Sequence, residues 1–150
     1  MTTATIDHSP LDGRTSRSIA RHIPTVARVL LGVVFFVFGL NGFLHFIPQT
    51  PPPAAALAFF GALFATGYML PLVMGTELLA GVLLLANRFV PLALALIAPV
   101  VVNILAFHAA LAPSGLLLAL VVLALEVLLA WSYRAAFRSM LAARVAPHEA

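Results

Sequence analysis

Asn41 and His45 stand four residues apart at the end of a long apolar run, FGLNGFLHFIP (38–48). Asn103 and His108 recur near the end of a second run, NILAFHAALAP (103–113). Glu77, after Thr76, and Glu126 sit inside two further apolar runs. Polar groups are costly in hydrocarbon and usually face a protein interior. Two imidazoles and a carboxylate could ligate a transition metal. Two imidazoles could ligate a haem. Imidazole, carboxyl and amide groups around an apolar cavity could bind a quinone, or another lipid-soluble substrate, and exchange protons with it. No HxxxH, HExxH or CxxCH spacing is present, which leaves metal and haem behind the quinone reading.

The elements that carry these residues must be membrane helices. Of the 150 residues, 63% are hydrophobic and 9% are charged, whereas soluble domains carry roughly 25% charged residues. A bilayer core is about 30 Å thick and needs about 20 apolar residues per helix. The chain therefore holds about four spans and leaves no room for a separate soluble domain. Cysteine is absent, which excludes disulfides, thiolate metal sites and electron relay through a cysteine pair of this chain.

Residues 1–24 read as a disordered cytoplasmic tail. The membrane domain covers 25–137, with spans expected at about 25–47, 70–86, 90–111 and 115–137, and a second cytoplasmic tail at 138–150. PQTPPP (48–53) cannot be helical. The stretch 54–86 is too long for one perpendicular span. It reads as a short interfacial or re-entrant helix followed by the second span, or as one long kinked helix. Pro91 suits the first turn of the third span, and Pro99 should bend it. The expected fold is thus all-α, a four-transmembrane-helix bundle with an extra short helix before the second span.

All eight basic residues are arginines. They lie in the N-terminal segment, at Arg88 and in the C-terminal segment, while the loops at 48–53 and 112–115 carry none. This bias puts both termini in the cytoplasm. It also argues against nucleic acid as a partner, since no basic stripe with interleaved aromatics is present. Trp131, Tyr133 and Phe137 suit an aromatic belt at the inner end of the fourth span.

Counting along each span at about 1.5 Å per residue puts His45, Asn41, Glu77, His108 and Asn103 at about 5, 10, 9, 8 and 15 Å from the non-cytoplasmic end. Glu126 lies roughly 18 Å in and stands apart. Asn41 and His45 share a helical face. Asn103 and His108 are five apart and sit roughly 140° from one another, so both cannot face one centre unless Pro99 redirects one. Glu126 and Tyr133 share a face and could form a pair in the inner half.

Plainer readings exist for each residue. The two asparagines could hydrogen-bond a neighbouring helix at about 0.6–2 kcal/mol. The two histidines could reach headgroups or loop carbonyls. Glu77 and Glu126 are harder to dismiss, because a carboxylate inside hydrocarbon must be protonated, paired or wet. Glu77 and His108 are the candidate catalytic pair. Asn41, His45, Asn103 and Glu126 are candidate ligand-binding residues.

The segments RVLLGVVFFVFGLNGFLHFIP, TGYMLPLVMGTELLAGVLLLANRFVPLAL and APVVVNILAFH, in that order, resemble the DoxX family of small four-helix bacterial membrane proteins. The resemblance runs over about residues 26–133. It is carried by the ordered combination of Asn41, Glu77, Asn103 and His108. It implies a multi-pass protein of the bacterial inner membrane, related to subunits of quinone-dependent sulfur oxidation and of redox or oxidative-stress complexes. It also implies a protein partner for any thiol step, since this chain has no cysteine. The leading expectation is a redox-associated, quinone-binding membrane subunit, with an oxidoreductase role left open. A non-enzymatic scaffold or accessory subunit and a carrier of a small apolar molecule are the alternatives. The lipid bilayer is the expected environment, with a protein partner of a membrane redox complex and a homo-oligomer left open.

Overall fold

The structure is a computed structural model describing residues 12–48, 51–138 and 140–143. The elements are α1 (Asp12–Leu44), α2 (Ala54–Ala65), α3 (Met69–Leu85), α4 (Val90–Ala110), a 3-10 turn (Pro113–Gly115), α5 (Leu116–Ser132) and α6 (Arg134–Phe137). The described residues form helices and connecting turns, with three helices long and apolar enough to cross a membrane and a fourth crossing if α2 and α3 count as one broken span. This is the polytopic helical protein expected from the sequence.

Four points along the chain bear on expectation: three boundaries differ, and one open alternative is decided. First, α1 begins at Asp12 rather than near Thr25. Arginine is a good helix former, and the stretch before Pro24 has no breaker beyond Gly13. The tail expected to be disordered is therefore helical from Asp12 on, and residues 1–11 lie outside the described residues. Second, α1 stops at Leu44 because His45 takes a left-handed backbone, φ 52°. Third, the long stretch 54–86, expected as a short helix before the second span or as one kinked helix, takes the first form, two helices meeting at 95°. Thr66 makes the corner: its Oγ1 donates to the Leu63 carbonyl at 2.6 Å and accepts from the Met69 N–H at 3.1 Å. It thus ties off α2 and caps the start of α3. Gly67, at φ 76°, supplies the turn that a residue with a Cβ would resist. Fourth, the last span ends at Ser132 rather than 137. The Ser132 hydroxyl donates to the Leu128 carbonyl at 2.8 Å, a back-bond that loosens the final turn. Residues 144–150 of the expected C-terminal tail lie outside the described residues.

The four long helices form a ring. Both α1 and α4 pack against α3 and α5, so α1 faces α4 across the bundle. On α1 the buried face runs Ala27, Leu31, Phe35, a three-to-four-residue spacing that keeps one stripe inward. It meets Ala80 and Leu84 of α3, Ile97 of α4, and Val122 and Leu129 of α5 in one apolar cluster. The α1–α3 approach is the tightest. A Cβ on Gly39 would lie 2.5 Å from the Leu78 backbone nitrogen, and one on Gly81 would overlap the backbone of Phe36. Small residues let membrane helices come this close, where packing rather than hydrophobic driving force holds them together.

Arg28 was expected among the charges flanking the first span. Instead it is buried, and its guanidinium donates to the Leu84 carbonyl and, at 3.4 Å, to that of Leu85. It adds a charged donor to carbonyls of the last turn of α3, where the Leu84 carbonyl also accepts the Asn87 N–H at 3.1 Å. Tyr133 and Phe137 pack partly against the apolar cluster. Trp131 is exposed, with the Arg134 guanidinium 5.3 Å above its ring.

Candidate functional site

A cavity of about 550 Å³ opens among α1, α3, α4 and α5. Asn41 and His45 reach it from α1 and its end, Glu77 from α3 and His108 from α4. The remaining walls are largely apolar, among them Phe35, Phe38 and Ile104. Pro52 and Phe60 line it from the loop before α2 and from α2 itself. Four of the six residues singled out in the sequence thus share one void.

The other two do not. Asn103 is exposed on α4, because five residues from His108 turn it roughly 140° away; Pro99 does not bring it back. Glu126 is buried, with 7% of its surface exposed, but it does not line the cavity. On α5 the lining residues are Leu118, Ala119 and Val122. Glu126 lies on the same face about one turn beyond Val122.

Two of the polar side chains in the cavity, Asn41 and His108, are held by local hydrogen bonds. Asn41 Oδ1 accepts the Ile47 N–H at 2.7 Å, and the Asn41 carbonyl accepts the His45 N–H at 2.8 Å. The asparagine therefore closes the end of α1. Its amide NH₂ remains available as a donor pair. His108 Nδ1 lies 3.0 Å from the Ala112 carbonyl oxygen. A carbonyl only accepts, so Nδ1 carries the proton and Nε2 of the neutral ring is an acceptor. The ring rests on Gly115, where a Cβ would overlap it. It also meets Phe107 edge-on, with centroids 5.2 Å apart. Phe107 in turn packs against Phe59 and Phe60, at 5.5 and 5.1 Å, so the same aromatic group joins α2 to α4.

Glu77 is half-buried on α3, one residue after Thr76, whose hydroxyl donates to the Leu72 carbonyl at 2.8 Å. The site therefore offers a carboxyl group, an imidazole with a fixed tautomer and an amide donor within apolar walls. Among the described residues no group of three or more His, Asp or Glu is arranged to hold a metal ion. Sequence reasoning missed Gly42, Met74 and Phe60 as cavity residues. Nothing in their residue types signals a void.

A comparison with family models matches the DoxX model to residues 23–110, more than half of the chain. The matched region carries Asn41, His45, Glu77, Asn103 and His108 and stops before α5. No curated protein and no solved structure matches the chain.

Proposed function

The chain belongs to the DoxX family, and on that premise we propose that it is a redox-associated membrane subunit that binds a quinone in this cavity. The supporting observation is the void of about 550 Å³, apolar over most of its wall, with Glu77, His108 and Asn41 converging on it. Ligand sites are typically apolar pockets with a few placed polar groups. A quinone carries two carbonyl acceptors on a flat apolar ring. In this reading the Asn41 amide orients one carbonyl by donation. Glu77 and His108 hold and exchange protons at the ring oxygens, Nε2 of His108 being the acceptor on the imidazole. Electrons come from a redox partner protein, since the chain has no cysteine pair to relay them.

The reading includes a location. Arg14, Arg17, Arg21, Arg88 and Arg138 mark one side, which the positive-inside bias assigns to the cytoplasm of a bacterial cell. The cavity then opens in the outer half of the inner membrane.

The test is equilibrium binding of a short-chain ubiquinone analogue to the detergent-purified chain, with mass spectrometry of whatever co-purifies. Glu77→Gln should weaken the analogue about tenfold, or about 1.4 kcal/mol. It should change stability by no more than about 0.5 kcal/mol. Unchanged binding by a folded Glu77→Gln protein would make Glu77 structural. The same void would also suit a carrier of a small apolar molecule. Ligand movement between liposomes with no partner protein present would favour that reading.

A further inference from the structure

The cavity has a neighbour. A second void of about 360 Å³ lies in the corner between the end of α1 and the α2–α3 bend. Phe43, Leu63, Phe64 and Pro71 line it alone, and Gly42, His45, Leu70 and Met74 line both voids. Apart from His45, its lining carries no ionisable side chain. Phe64 and Phe43 are 76% and 45% exposed, so the far side of the corner void faces the surroundings of the bundle.

Met74 stands at the division. Its side chain lies over Gly42 so closely that a Cβ at 42 would overlap the sulfur. Glycine at 42 is what leaves room for it. Methionine has three rotatable bonds and adapts to irregular gaps, so this is a divider that can swing. A lipid-soluble ligand whose head is held by Glu77 and His108 needs an apolar way in. The shared wall at Met74 leads to one, between Phe43 and Phe64.

We infer that the two voids hold one molecule: a quinone bearing a hydrocarbon tail. Its ring lies against Glu77 and His108, and its tail crosses the Met74 divider into the corner. The inference rests on the quinone reading above and adds the tail, the divider and the route. The bilayer already surrounds a free tail with hydrocarbon. The corner therefore adds only the dispersion attraction of a filled void over an empty one, and its effect on affinity is modest.

The experiment uses the full chain in phosphatidylcholine nanodiscs with two probes: a ubiquinone head group without a tail, and the same head with a decyl tail. Each affinity is referred to the probe's own partitioning into lipid. The wild-type protein should prefer the decyl probe about fivefold, the scale of a small net gain in dispersion attraction. Leu63 lines only the corner void, so Leu63→Trp should abolish that preference and leave the tail-less probe unchanged. Leu63→Phe should remove part of it, and serves if the tryptophan variant fails to fold by thermal melting. A decyl preference that survives in folded Leu63→Trp overturns the inference and leaves the quinone reading standing. So does an equal loss of both probes. If the wild-type protein binds neither probe, the quinone reading falls and the inference falls with it.

Discussion

At one end of the bundle, the buried Arg28 commits its guanidinium to the carbonyls of Leu84 and Leu85. At the other, Glu77, His108, Asn41 and His45 look into a void. Both ends set polar groups among helices, but they differ in what those groups are left free to do. Arg28 completes the end of a neighbouring helix. At the cavity end each anchoring bond uses only part of the side chain: Oδ1 of Asn41, and Nδ1 of His108. The other half stays available. A polar residue inside a membrane bundle is thus informative by what its local bonds leave open, more than by its presence.

Four substitutions would break or sharpen this contrast. Gly81→Leu should do the most damage, because the new side chain meets the Phe36 backbone, which cannot yield as a side chain would. A loss of about 3 kcal/mol is expected from such overpacking, read as denaturant-induced unfolding in detergent, with binding lost along with the fold. Arg28→Met keeps the apolar stem but removes the donors. Bonds to a charged group are worth about 1.5–3 kcal/mol, so stability should drop by about 2 kcal/mol while a folded sample binds quinone as before. A Met variant with wild-type stability would mean that Arg28 caps nothing.

Gly115→Ala should act in the opposite sense. Its Cβ displaces the His108 ring, so quinone affinity should fall about fivefold, near 1 kcal/mol, with a smaller effect on melting. Asn103→Leu should do least. The residue is exposed on α4, and surface changes usually stay within about 0.5 kcal/mol. A large loss of quinone binding in that variant would move the site away from the cavity described here.

Much of this was legible in the residues. The apolar runs set out the spans, since their length against bilayer thickness is a coarse quantity that packing cannot override. Counting depth brought Asn41, His45, Glu77 and His108 to one level, and the void gathers those four. The angle between Asn103 and His108 was legible too, because helical periodicity is fixed. Less legible was anything decided by how helices meet. Arg28 reads as a flanking charge until α3 is seen to end beside it. Phe89 adopts a left-handed backbone at φ 52°, which its residue type does not advertise. The corner at Thr66 and Gly67 was foreseen as a break but not as a right angle. Phe60 reaches the cavity from the far side of that corner.

The right angle between α2 and α3 has a further consequence for the surrounding lipid. A twelve-residue helix is about 18 Å long and about 10 Å across. Were α3 to run along the membrane normal, α2 would lie in the plane of the bilayer, adding roughly 180 Å² of footprint at that level and none on the far side. The molecule would then be broader in one leaflet than in the other. Its boundary lipids would be displaced unequally, and a crowded patch of it would bend the membrane around itself.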